Sequence, residues 1–89
     1  MKISTKGRYA LRILADIAEH GVEKNVPIRE IAERQGFSDK YLEGIVSRLS
    51  SAGLVKSGRG KYGGYRLVKD PSEYNVYEIL YAAEDSIAL

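Results

Sequence analysis

The sequence predicts a mainly α-helical chain with one small antiparallel β hairpin and a helix-turn-helix at its centre. Three observations predict it. Apolar residues recur at spacings of three and four in four separate stretches. A Gly36-Phe37-Ser38 triplet separates two of these stretches. A stretch from Ala52 to Leu67 holds five of the nine glycines and four basic residues, with no acid, between two short strand-like runs.

In the first stretch Tyr9, Ala10, Ile13, Leu14 and Ile17 form an apolar stripe, widened by Leu11, Ala15 and Ala18. Arg8, Arg12, Asp16 and Glu19 are left as a narrow polar strip. Ser4 or Thr5 is expected to cap the start and Gly21 to end the helix. A helix apolar on most of its circumference needs more than one packing partner. His20, the one histidine, falls in the last turn, where it suits the helix dipole.

Gly21 to Pro27 reads as a polar loop. A short helix over Ile28–Gln35 turns Ile28, Ile31 and Ala32 inward and Arg29, Glu30, Glu33 and Arg34 outward. Gly36 closes it, Phe37 plugs the turn, and Ser38 caps the next helix. Two short helices joined in this way meet the needs of a helix-turn-helix, a glycine and an apolar wedge at the turn. The third helix, Asp39 to Ser51, buries Leu42, Ile45, Val46 and Leu49. Its outer residues are mostly small or hydrogen-bonding, which suits a surface pressed into a groove. Gly44 in its middle costs about 1 kcal/mol relative to alanine; it fits either a close backbone approach or a tolerated surface defect.

After Gly53 come the two strands, then a turn at Lys69-Asp70-Pro71-Ser72. Asn75 and Glu78 have capping-box spacing and open a fourth helix. Val76, Ile79, Leu80 and Ala83 form its apolar stripe, and Tyr74, Tyr77 and Tyr81 lie along a different side, as a packing surface for something beyond these residues.

With 89 residues, 44% apolar and 29% charged, there is room for one domain (1–89) with one core. No apolar run approaches 18 residues and no signal pattern is present, so neither a membrane span nor secretion is expected. The absence of cysteine excludes disulfides, thiolate metal ligands and a cysteine nucleophile within these residues. A cytoplasmic location is the expectation. The net charge of +2 conceals segregation: +4 over residues 1–12, −3 over 13–33, +6 over 34–69 and −5 over 70–89. Such segregation presents a positive face, either a phosphate-binding surface or ordinary solvated surface.

Gly58-Arg-Gly60-Lys-Tyr-Gly63 matches the dinucleotide-binding G-x-G-x-x-G. That fingerprint works between a strand and a helix. Here a strand-like Tyr65-Arg66-Leu67 follows, so the glycines read as hairpin geometry. No arrangement of catalytic or metal-ligating side chains is supported, and no enzyme is expected. Arg59, at the glycine-bordered tip, can enter a minor groove and sense its potential, or stand solvated. Glu43 can accept from a base, most naturally cytosine N4, or pair with Lys40 along the helix.

Thr5-Lys-Gly-Arg-Tyr-Ala, Ile31-Ala-Glu-Arg-Gln-Gly, Tyr41-Leu-Glu, Leu49 through Gly53-Leu-Val, and Arg59-Gly with Gly63-Gly-Tyr together resemble the Rrf2 family of bacterial transcription regulators. Its nearest branches are the cysteine-metabolism repressors and the iron–sulfur cluster regulators, between which these residues do not choose. The resemblance spans the whole chain and implies a winged helix-turn-helix that binds palindromic, double-stranded operator DNA as a homodimer. On that basis the recognition helix covers about 38–51 in the major groove and the wing about 55–68 at the minor groove. Tyr41 and Glu43 belong to the recognition helix, Glu43 as a base reader. Arg59 is the wing arginine, and Thr5, Lys6 and Arg8 lie where the first helix meets phosphates. Ser38, Lys40, Ser47, Arg48, Lys61 and Tyr62 complete the expected contact set. Many relatives have glutamine where Gly44 stands. Family members continue into a long dimerisation helix, so this chain is expected to be the DNA-binding portion, and no cofactor is expected in it. Some members hold an iron–sulfur cluster through three cysteines that are absent here. A second reading is an adaptor that binds proteins, with the hairpin only as scaffold.

Overall fold

The computed structural model describes residues 3–22, 24–58 and 63–84. Helix α1 (Thr5–His20) begins where a hydroxyl first becomes available to its free amides: Ser4 is extended and its Oγ accepts from the Gly7 amide at 2.9 Å. The helix ends at Gly21, whose amide donates to Ile17 O. Helix α2 (Ile28–Gln35) stops at Gly36, which adopts φ 75°, a left-handed conformation that costs other residues more. The Gly36 and Phe37 amides both donate to Ala32 O, which folds the chain back sharply. Ser38 then accepts from the Tyr41 amide and opens α3 (Asp39–Ser51). These boundaries are those read from the sequence.

Strands β1 (Val55–Gly58) and β2 (Gly64–Leu67) pair antiparallel, Val55 opposite Leu67 and Gly58 opposite Gly64. A third partner comes from outside the hairpin. Val26, in the loop before α2, exchanges both backbone hydrogen bonds with Tyr65 at 2.8 Å. Gly64 lies against it at φ 147°, where an added Cβ would meet Val26 backbone atoms at 2.5 Å. A 3-10 turn over Pro71–Glu73 leads to α4 (Val76–Ala83), opened by the expected capping box of Asn75 and Glu78.

Helix α1 is the hub, packing against α2, α3, α4 and β2. Ile13, Ile17, Ile31, Leu42, Val46, Leu49, Val26 and Val55 are the large, fully buried side chains of one hydrophobic core. Each such side chain contributes about 1.5–3 kcal/mol by leaving water. Leu11, Ala18, Leu14, Leu67, Tyr74 and Ile79 line an apolar groove along α1, and Ala15 beside them is exposed. The wide stripe of α1 is thus only partly covered by the described residues.

Three expectations are corrected. Asp16, assigned to a polar strip, is 3% exposed. Arg34, exposed on α2 as expected, also reaches back and grips that carboxylate with Nε at 2.9 Å and Nη2 at 2.7 Å. Val76, placed in the stripe of α4, is 53% exposed, leaving Ile79, Leu80 and Ala83 as the buried face. Tyr74 parts from Tyr77 and Tyr81: its hydroxyl donates to Leu54 O at 2.6 Å and accepts from the Val68 amide at 2.9 Å. It is a strap inside the fold, and only Tyr77 and Tyr81 are outward.

Candidate nucleic-acid interface

Successive turns of α3 bring Lys40, Tyr41, Gly44, Ser47 and Arg48 along one side of the helix. Lys6 on α1 and Ser38 at the cap close the ends of a shallow depression of about 660 Å³, floored by Ile45. Among the described residues, three bases and no acid line it. Charges gathered around one depression act together on an approaching anion, because screening at physiological ionic strength sets in only over about 8 Å. An added Cβ at Gly44 would meet nothing within 4 Å. No neighbouring element of the described chain requires a glycine there, and the missing side chain simply deepens the depression.

Of the other expected contact residues, Thr5, Arg8 and Glu43 are exposed but do not line this depression. Glu43 and Lys40 form no ion pair with each other among the described residues, which removes the intrahelical alternative from this structure. Arg59, Lys61 and Tyr62 lie outside the described residues.

Sequence reasoning missed what holds the helix-turn-helix to α1. Asp16 accepts from Arg34 twice and from Gln35 Nε2 at 2.9 Å. Burial alone would raise its pKa; the hydrogen bonds from Arg34 and Gln35, with the charge of Arg34, outweigh it and hold the carboxyl below its ordinary value. Gln35, so oriented, accepts from Arg12 Nε through its side chain at 3.1 Å, and its carbonyl accepts from Arg12 Nη2 at 3.0 Å. Arg12 thereby caps the C-terminal end of α2, where a cation is favoured.

A short helix, a tight turn, an exposed helix and a flanking two-stranded hairpin define the chain as a winged helix-turn-helix protein. The chain belongs to the Rrf2 family, described as iron-dependent transcriptional regulator, which it matches over residues 3–89. It is 48% identical over 87 residues to the HTH-type transcriptional regulator IscR of Photorhabdus laumondii, covering 98% of this chain and 53% of that protein. It is 45% identical to protein rrf2 of Nitratidesulfovibrio vulgaris, covering 96% and 57%. Among solved structures it is similar to CymR, the global cysteine regulator of B. subtilis, with TM-score 0.89, 44% identity, and 98% and 67% of the two chains covered. IscR of T. potens matches with TM-score 0.87 and 44% identity, covering all of this chain and 65% of the other. The chain spans about half the length of the curated relatives it matches. The family and these relatives are transcriptional regulators, not enzymes.

A cluster held by cysteines does not fit the donors in this chain. The chain contains no cysteine, and no group of three His, Asp or Glu side chains comes together among the described residues. None of their helices is long and apolar enough to cross a membrane.

Proposed function

We propose that this chain is a single DNA-binding domain, the part of a cytoplasmic transcriptional regulator that reads operator DNA. Helix α3 enters the major groove and the hairpin lies at the minor groove. The observation that carries this reading is the depression on α3, lined among the described residues by Lys6, Lys40 and Arg48 and by no carboxylate. An α-helix fits the major groove, and a basic lining releases counterions from phosphates on docking. Glu43, exposed and unpaired with Lys40, accepts from a base edge, and Thr5, Arg8, Ser38 and Ser47 contribute phosphate contacts with the three bases. Arg59, Lys61 and Tyr62, which lie outside the described residues, supply the minor-groove contacts that the family resemblance implies. The regulator acts as a homodimeric repressor on a palindromic site, in keeping with the partly uncovered apolar side of α1.

The test is a fluorescence-anisotropy titration against a duplex selected by the protein from a randomised pool, with a shuffled duplex as control, at several salt concentrations. Glu43→Ala should cut discrimination between the two by about 1–3 kcal/mol, the worth of one base-edge interaction. Lys40→Ala should weaken both alike and reduce the salt slope by about one. Absence of salt-dependent binding to any duplex would sink the reading.

A further inference from the structure

An unbroken set of contacts runs from the buried carboxylate to the reading surface. Gln35, held by Asp16, fixes Arg12. The Arg12 guanidinium lies over the rings of Phe37, at 4.9 Å, and of Tyr9, at 5.6 Å. Tyr9 and Phe37 stack with centroids 4.2 Å apart and planes tilted 33°. Tyr9 also meets Tyr41 edge to face, at 5.6 Å and 90°. Tyr41 itself is 36% exposed and lines the basic depression.

We propose that Tyr9 and Arg12 are positioning residues: they set where the Tyr41 ring stands on the recognition helix. The inference rests on the DNA-reading function proposed above and deepens it. A half-exposed tyrosine in the first turn of a helix would otherwise divide itself among rotamers. The perpendicular contact with Tyr9 matches the quadrupoles of the two rings and favours one rotamer. Phe37 and Arg12 hold Tyr9 in place, and Arg12 is fixed in turn by two hydrogen bonds to Gln35. Tyr9 and Phe37 come from separate elements, so the brace also ties the turn of the helix-turn-helix to α1. Among the described residues the Tyr9 hydroxyl makes no hydrogen bond and its ring makes the aromatic contacts, so phenylalanine should replace it.

The test uses the 89-residue chain, the duplex it selects and the shuffled duplex. Tyr9→Phe should bind as wild type. Tyr9→Leu should bind the selected duplex about 3–10-fold more weakly, the size of an edge-to-face preference expressed as a ratio. The same weakening should appear in Tyr41→Ala, with little further change in the double variant. Arg12→Lys keeps the charge but not the two-pronged bond, and should weaken binding in the same direction; it serves if Tyr9→Leu does not fold. In proton NMR spectra of the free protein, Tyr9→Leu should abolish the ring-current displacement of the Tyr41 ring signals. Effects that add in full, or a Tyr9→Leu variant that binds as wild type, would overturn the proposal and leave the DNA-reading function standing. So would a Tyr41→Ala variant that binds as wild type. A wild-type chain that binds no duplex would remove both.

Discussion

The helix-turn-helix and the wing are attached to the same core by different chemistry. The former is held by side chains: Asp16, Arg34, Gln35 and Arg12 join α1 to the end of α2. The wing is held mainly through backbone, by the reciprocal bonds of Val26 and Tyr65 and by a tyrosine hydroxyl set between Leu54 O and the Val68 amide. The difference teaches where each half is vulnerable. A side-chain brace fails when a functional group is removed. A backbone brace fails when something is added between the strands.

Gly64→Ala should therefore give the largest effect, since it combines a φ unfavourable to alanine with a methyl 2.5 Å from the Val26 backbone. A destabilisation of about 3 kcal/mol in urea unfolding is expected, and one below about 1 kcal/mol would break the contrast. Asp16→Ala comes next, at about 2 kcal/mol. That is less than a fully buried pair would cost, because the Arg34 side chain keeps 31% exposure and partly rehydrates.

The same carboxylate gives a pH signature. Its pKa is lower folded than unfolded, so its contribution is complete above the unfolded value near 3.8 and disappears as pH falls through the folded value. In acid unfolding monitored by circular dichroism, Asp16→Asn should show a shallower decline of stability below about pH 4 than the parent.

Tyr74→Phe leaves a carbonyl and an amide short of a partner and should cost about 1 kcal/mol in chemical unfolding. The smallest effect belongs to Lys69→Ala, which opens the bond from Lys69 Nζ to Glu78 at 2.7 Å. The hydrogen bond from Lys69 holds the Glu78 carboxyl below its ordinary pKa, yet both groups are open to solvent. Its unfolding midpoint should move little at low salt and not at all at about 1 M salt.

The elements were legible because their signals are local. Ser4, Ser38, the Asn75–Glu78 box and Gly36 lie within three or four residues of the groups they satisfy, and the starts of α1, α3 and α4 and the end of α2 followed from them. What sequence reading missed depends on partners distant in the chain. Asp16 looked like solvated strip because Arg34 is on another helix. Tyr74 looked outward because Leu54 O is reachable only after the hairpin has folded. Tyr9 read as one more apolar core residue, and nothing local showed that its ring would meet Tyr41. The outer face of α3 was recognisable from its composition, whereas the contribution of Lys6 to the same depression required the packing of α1 on α3.

The bridge between Val26 and Tyr65 also bears on the order of assembly. The three helices form and meet through neighbours close along the chain, while this bridge must close a loop that contains both α2 and α3. Loop closure of that span costs entropy before any contact repays it, which places the wing after the helices along the folding path. Substitutions at Val26 and Gly64 should then accelerate unfolding and leave the folding rate almost untouched, whereas truncating Ile17 or Leu49 slows folding.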